Sequence, residues 1–269
     1  MVRRGYLDFD WGQLHYRAAG TDESKPLLLL LHQSPLSSRN YEQALPLLAA
    51  GCRAIALDTP GYGGSSAIGD AWEVADYGRL VWQVADRLGV DQIALFGRAT
   101  GGVFALEAAL QQPSRVSALM LHGLPVYTDD ERRDRTANYA PAYVIDDAGG
   151  HLRWIWDRIH REYPWIGAEL ANHFLKDFLA AGADFATAYR AIWRYDLPAR
   201  VGSGFDLPTL LIGGGRDRIA EMHPRAVQLM PWAEAVRLED ITDFVAEQQP
   251  ERFAQLLLDF IARRTPQKC

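Results

Sequence analysis

The chain lacks the features that mark several protein classes. Its 269 residues hold two cysteines, Cys52 and Cys269, far apart and in no CxxC pattern. No disulfide framework or zinc site is read from such a pair. The expectation is a reduced setting, with one core thiol and one at a frayed end. Basic charge is lacking too: 28 Lys and Arg stand against 34 Asp and Glu, a net charge of −6. A nucleic-acid footprint is normally basic, so no nucleic-acid partner is expected. The leucine run Leu27 to Leu31 falls far short of the ~20 residues of a membrane helix and reads as a buried strand. The opening MVRRGYLDFDWG has no apolar segment after its arginines and does not read as a signal peptide. What these absences leave is a cytoplasmic protein with a small-molecule ligand, monomeric or homodimeric. No membrane, metal or cofactor is expected. His151, His160, His173 and His223 have no spacing that forces a metal site, and His223-Pro224 reads as a helix start.

What is present is ordinary globular composition, 48% apolar and 23% charged, in a chain long enough to bury a sizeable core. The stretch LDFDWGQLHYRAAG alternates around Gly12 and predicts two antiparallel edge strands. KPLLLLLHQ, CRAIALDTP, DQIALFG, RVSALMLHG and LPTLLIGGG are continuous apolar runs ending in loops, as strands buried on both faces are. Helical patterns alternate with them. DYGRLVWQVADRLGV carries Leu80, Val84 and Leu88 at helical spacing before Gly89, and GGVFALEAALQQP ends at Pro113. A helix near HPRAVQLM, a strand EAVRLED and a last helix PERFAQLLLDFIARR complete the series.

Such alternation predicts an α/β fold, a mostly parallel central sheet flanked by helices. It breaks between 126 and 206, where the pattern is helical and rich in aromatics. The expected organisation is a core of residues 1–125 and 207–269 with a helical cap, 126–206, inserted over the carboxyl ends of the strands. Ligand sites of such sheets lie there.

The loops at those carboxyl ends carry the specific signals. They are His32-Gln33-Ser34-Pro35, Asp58-Thr59-Pro60-Gly61-Tyr62-Gly63-Gly64-Ser65, Gly97-Arg98-Ala99-Thr100-Gly101-Gly102, Gly214-Gly215-Arg216-Asp217 and DFVAEQQPERF. In this order the five motifs resemble the α/β-hydrolase superfamily, in its capped small-molecule branch, over nearly the whole chain. The resemblance makes Gly97 to Gly101 the nucleophile elbow, G-x-S-x-G in the family. Ala99 then stands at the nucleophile position, Asp217 at the family acid and Asp243 at the family histidine. A methyl group attacks nothing, so serine-type acyl transfer is excluded as written. The epoxide-hydrolase and dehalogenase variants need an aspartate at 99. Hydroxynitrile lyases and cofactor-free dioxygenases of this fold rely on the missing histidine.

Thr100 is a poor replacement nucleophile, because it would put Arg98 where the elbow needs a small residue. The resemblance instead makes the Thr100 and Gln33 backbone N–H groups an oxyanion hole. Asp217 and Asp243 are expected to lie close together, so that one is raised in pKa and the two act as an acid–base pair. The rival reading pairs Asp243 with Arg216 or Arg218. His32 and His122 end strands beside the expected pocket, His32 in an architectural part. Arg98 either binds a substrate anion or packs away from the pocket. Trp154, Trp156, Trp165 and Trp193 lie in the cap, and some are expected to line a broad apolar pocket.

The leading reading is an enzyme that has left hydrolysis. It takes an apolar or polycyclic small molecule and works by acid–base chemistry of the decarboxylation, elimination or cyclisation type. One rival is a ligand-binding pseudoenzyme. Another is an ester-type hydrolase carrying an inactivating Ser-to-Ala change at position 99, which leaves Asp243 unexplained.

Overall fold

The computed structural model describes residues 1–68, 72–183, 185–202 and 207–264. Asp206, the expected end of the cap, and Cys269 lie outside them. In chain order the elements are β1 (Arg3–Phe9), β2 (Gly12–Ala19), β3 (Leu27–Leu31), α1 (Leu45–Leu48), β4 (Arg53–Leu57), α2 (Val74–Arg87), β5 (Ile93–Arg98), α3 (Thr100–Gln111) and β6 (Val116–His122). Five helices follow: α4 (Asp129–Asn138), α5 (Gly150–Glu162), α6 (Ala168–Ala181), α7 (Thr187–Arg194) and α8 (Leu197–Val201). The chain then returns through β7 (Thr209–Arg216), α9 (His223–Leu229), β8 (Glu234–Thr242), α10 (Val245–Gln248) and α11 (Pro250–Arg264).

The eight strands form one sheet in the order β1-β2-β4-β3-β5-β6-β7-β8. β1 pairs antiparallel with β2, and β2 with β4; the remaining neighbours are parallel. One expectation is corrected here. β1 is an edge strand but β2 is not, because residues 16–19 also pair with 54–57 of β4. A partner this far along the chain leaves no mark in local alternation.

The five leucines of β3 show how the layers form. Successive side chains of a strand point to opposite faces. Leu27, Leu29 and Leu31 join the apolar cluster that holds Leu80, Val84 and Phe104 of α2 and α3. Leu28 and Leu30 join the cluster of Leu45, Phe253 and Leu257 on α1 and α11. Each buried leucine contributes about 1.5–3 kcal/mol, so the run is apolar throughout. α2 ends at Arg87, and Gly89 follows with φ +66°, as its glycine predicts.

The helical insertion between β6 and β7 shares the first cluster with the core, through Ile155, Phe174, Phe178, Phe185 and Trp193. Polar contacts tie it down further. Tyr62 Oη donates to the Phe185 carbonyl (2.9 Å), Ser37 Oγ to Asp177 Oδ2 (3.0 Å), and Tyr195 Oη to Glu107 on α3 (2.5 Å). Among the described residues, no helix is long and apolar enough to cross a membrane.

The chain runs from β3 outward to β4, then crosses back to β5 on the other side. That reversal opens the crevice at the carboxyl ends of β3 and β5. The turn after β5 fits only because Gly97 and Gly101 lack side chains. A Cβ on Gly101 would lie 2.4 Å from the Leu31 carbonyl oxygen, and one on Gly97 2.3 Å from that of Gly101. Backbone on both sides leaves nothing to yield. Gly101→Ala is therefore expected to cost about 1–3 kcal/mol, read as a lowered urea midpoint. An unchanged midpoint would show that the turn relaxes around a side chain.

Candidate functional site

The expected elbow is made as a strained turn at the end of β5, with Ala99 at its centre. Ala99 has φ +47° and ψ −112° and is the one non-glycine residue with positive φ among those described. Such a conformation costs on the order of 1–3 kcal/mol and persists where the surroundings over-determine it. The surroundings here are hydrogen bonds. Ala99 N donates to the His122 carbonyl (3.1 Å), and α3 starts at the next residue. The Thr100 hydroxyl accepts from Ser34 N (2.7 Å) and donates to Ser34 Oγ (3.1 Å). This stitches the Gln33-Ser34 turn to the start of α3. Tyr189 of the insertion donates its hydroxyl to the Ser34 carbonyl from above.

Arg98, the residue before Ala99, turns beneath the elbow and is 4% exposed. Its Nη2 lies 2.5 Å from Asp243 Oδ1 and 3.0 Å from Asp217 Oδ2. Nη1 donates to the His122 and Gly123 carbonyls, both at 3.3 Å, and Nε to the Asp243 carbonyl at 3.4 Å. The guanidinium needs room at Gly123, where a Cβ would lie 2.2 Å from Nη1. Asp217 Oδ1 also accepts from Ile219 N (2.9 Å), and Asp243 Oδ2 from Arg218 N (2.9 Å). His122 Nε2 stands 3.4 Å from Asp217 Oδ2.

The expected acid pair does come together, but across a guanidinium and not across a shared proton. The arginine paired with Asp243 is also not the expected one. Arg216 is exposed at the end of β7. Arg218 supplies its backbone N–H to Asp243 and sends its side chain to Tyr139 and Glu162. Burial works against ionisation of Asp217, yet Arg98 and His122 hold it well below the usual carboxylate range. Asp243 gives way instead: burial and the Asp217 charge push it up to about 6, against Arg98, Arg218 and the Arg218 N–H. Burial and the Arg98 charge lower His122, which is therefore neutral.

His32 is architectural. Its Nδ1 donates to the Gln33 carbonyl (2.9 Å) and its Nε2 accepts from Thr59 N (2.9 Å). His122 lines a cavity with Gln33, Arg98 and Asp243, but that cavity measures only about 10 Å³. The four tryptophans of the insertion are placed as follows. Trp165 is 43% exposed. Trp156 packs on His160 of its own helix, ring centroids 4.6 Å apart. Trp154 packs on Tyr143 and Phe185 within the insertion. Trp193 stacks on Tyr189 at 5.5 Å. The insertion meets the core through tyrosines: Tyr163 packs edge-on to Phe244, and Tyr139 reaches Arg218.

Two buried acids, Asp58 and Asp177, and one half-buried acid, Glu247, escaped the sequence reading. Asp58 accepts from His15 Nδ1 (2.8 Å), Ser38 N (2.6 Å) and Gly64 N (2.7 Å), so it fixes the loop after β4. Its place inside a family motif was the available signal. Asp177 on α6 and Glu247 on α10 face the seam between insertion and core. For Glu247 the only hint was its spacing of four from Asp243; for Asp177 there was none.

Residues 26–241 match a family model described as the alpha/beta hydrolase fold. Among curated proteins, the chain is 34% identical to a 2-hydroxy-6-oxononadienedioate/2-hydroxy-6-oxononatrienedioate hydrolase of Klebsiella pneumoniae subsp. pneumoniae, over 96% of this chain and 95% of that one. It is 28% identical to a putative carbamate hydrolase of Variovorax paradoxus, over 93% and 96%. Among solved structures, a hydrolase from Pseudomonas aeruginosa PA01 superposes with a TM-score of 0.79 at 22% identity, covering 96% of this chain and 98% of that one. The enol-lactonase from Burkholderia xenovorans LB400 gives 0.75 at 19% identity, covering 96% and 100%.

Removing one partner of a buried ion pair costs about 3–5 kcal/mol. Arg98→Met is expected to lose that much near neutral pH. Without the guanidinium both carboxyls have folded-state pKa values above their unfolded ones. Their penalty is then absent below the unfolded values near 4 and grows as pH rises. Urea denaturation at about pH 5 and about pH 8 checks this. An equal loss at both would assign the effect to packing of the side chain and not to its charge.

Proposed function

This chain belongs to the α/β-hydrolase fold family, and we propose that it acts on an apolar or polycyclic small molecule by acid–base chemistry without a covalent acyl-enzyme. The reaction class is decarboxylation, elimination or cyclisation. The observation that carries this reading is Ala99. The backbone keeps a costly elbow at φ +47° while the side chain offers no nucleophile. What that shape would still offer is the pair of Gln33 and Thr100 amides, and the Ser34–Thr100 bonds that stitch the two loops support this. In this reading they hold an oxygen that gains negative charge.

Asp243 takes or returns the proton. Asp217 stays ionised and, with Arg98, orients Asp243 and sets its affinity for the proton. The 126–206 insertion serves as the cap that keeps water from the reacting atoms, and Tyr189 is its nearest anchor to the elbow. The curated relatives are hydrolases of small organic molecules by name, which supports a small-molecule substrate but neither its apolar or polycyclic character nor the reaction.

A second reading, a ligand-binding pseudoenzyme, draws on the same ion cluster. Arg98 neutralises the carboxylates, and the cavity beside them is about 10 Å³. A compound that co-purifies with the chain separates the two. Mass spectrometry after incubation shows conversion in the first case and unchanged recovery in the second.

With a converted compound in hand, turnover is expected to rise with pH through about 6 if Asp243 acts as base. Asp243→Asn is expected to abolish turnover while the circular dichroism spectrum stays unchanged. Full activity in that variant sinks the assignment. Ala99→Ser, assayed with p-nitrophenyl acetate, is expected to show no ester hydrolysis because no histidine activates the new hydroxyl. Strong hydrolysis would restore the reading of an inactivated hydrolase.

A further inference from the structure

Two small chambers share a wall, and Asp243 lines the first of them. The first, lined by Gln33, Asn40, Arg98, His122, Asp243 and Glu247 among others, measures about 10 Å³. The second lies between α6, α10 and the 38–41 turn. It is lined by Arg39, Asn40, His173, Asp177, Phe244 and Glu247 among others and measures about 20 Å³. Asn40 and Glu247 belong to both walls.

Each volume suits one water molecule, which needs roughly 10–15 Å³ and two to four polar partners. The partners are present. Asn40 Oδ1 is buried with no hydrogen-bond partner among the described residues, and His122 Nε2, in a side chain 1% exposed, has only the long 3.4 Å contact to Asp217 Oδ2. An unmet buried polar atom costs about 1–3 kcal/mol, which an ordered water recovers. Glu247 follows Asp243 by four residues, and Asn40 Nδ2 donates to its Oε1. Asp177 faces it from α6, held by Ser37 Oγ with Arg39 at 3.9 Å. His173 lies one turn earlier on α6, half-buried at the mouth of the seam.

We propose that ordered water fills both chambers and, with Glu247 and Asp177, forms a proton path from Asp243 to the seam at His173. The Asp243 carboxyl gives its proton to the first water as that water passes one of its own to Glu247. Glu247 releases a proton from its other oxygen to the second water, and Asp177 and His173 hand it to solvent. Every oxygen on the path gives one proton and takes one. Burial pushes Glu247 up to about 8, against Asn40. It pushes Asp177 up to about 6, against Arg39 and Ser37. Both therefore exchange protons near neutrality, where an ordinary carboxylate stays ionised. The path supplies an exit for the proton that Asp243 handles, and in that use it rests on the preceding reading.

A crystal structure of the full chain at atomic resolution tests the water directly. The expected result is one ordered water in each chamber, within hydrogen-bond distance of Asn40 or Glu247; chambers without density overturn the proposal. Carbon-13 carboxyl NMR tests the path. In the unaltered chain, Asp243 is expected to give one averaged, sharp resonance through its titration. In Glu247→Gln the waters remain, but the resonance broadens because the relay is broken. Glu247→Leu is expected to lose both waters as well. An Asp243 resonance as sharp in Glu247→Gln as in the unaltered chain overturns the path. These readouts need no substrate, so full turnover in Asp243→Asn sinks the preceding reading and leaves the water and its path to be judged separately.

Discussion

One guanidinium organises the upper end of this sheet. Arg98 is fixed by the last residues of β5, and from there it reaches the ends of three other strands. It takes carbonyls after β6, Asp217 after β7 and Asp243 after β8. A buried cation is tolerable only with this many acceptors, and two buried carboxylates only with such a cation. The cluster is therefore all-or-nothing, and its members hold the loops in register. The elbow strain at Ala99 is maintained by the same scaffold, since Ala99 N and Arg98 Nη1 share the His122 carbonyl.

This makes the electrostatic asymmetry of the two aspartates a matter of geometry. Asp217 receives Arg98, a backbone N–H and the edge of His122, while Asp243 receives Arg98 and one backbone N–H beside an existing negative charge. The second carboxylate to ionise meets the first at close range. The carboxyl at 243 is raised by burial and by that neighbour, and Glu247 stands four residues on.

The fold was legible because it rests on local patterns. Five apolar runs, each closed by a loop with Gly, Pro or Asp, announce a buried parallel sheet, and the missing run after residue 126 announces the insertion. The tight turn at 97–101 was legible for the same reason, since its glycines are demanded by backbone clashes. The counter-ion was not. Arg98, Arg216 and Arg218 are equally close to the aspartates in sequence terms, and only the direction of the side chain at the end of β5 selects among them. The role of β2 was missed because its second partner lies about forty residues away. Helical spacing in the insertion marks packed faces without saying what packs on them. Trp154 packs among the insertion's own aromatics, while Tyr163, Phe174 and the Tyr139–Arg218 contact reach the core.

The vacancy above Gly123 bears on how this chain changes over generations. That space admits the Arg98 guanidinium and nothing larger than a hydrogen on residue 123. A serine placed at 99 would meet a cation under the elbow and a carboxylate at 243. Installing histidine at 243 alone would strip Arg98 of its 2.5 Å partner. Replacing Arg98 alone would strand two buried negative charges. Changes at 98 and at 243 are therefore coupled, since either one made alone leaves buried charge without its partner. The two positions are expected to vary together and not singly.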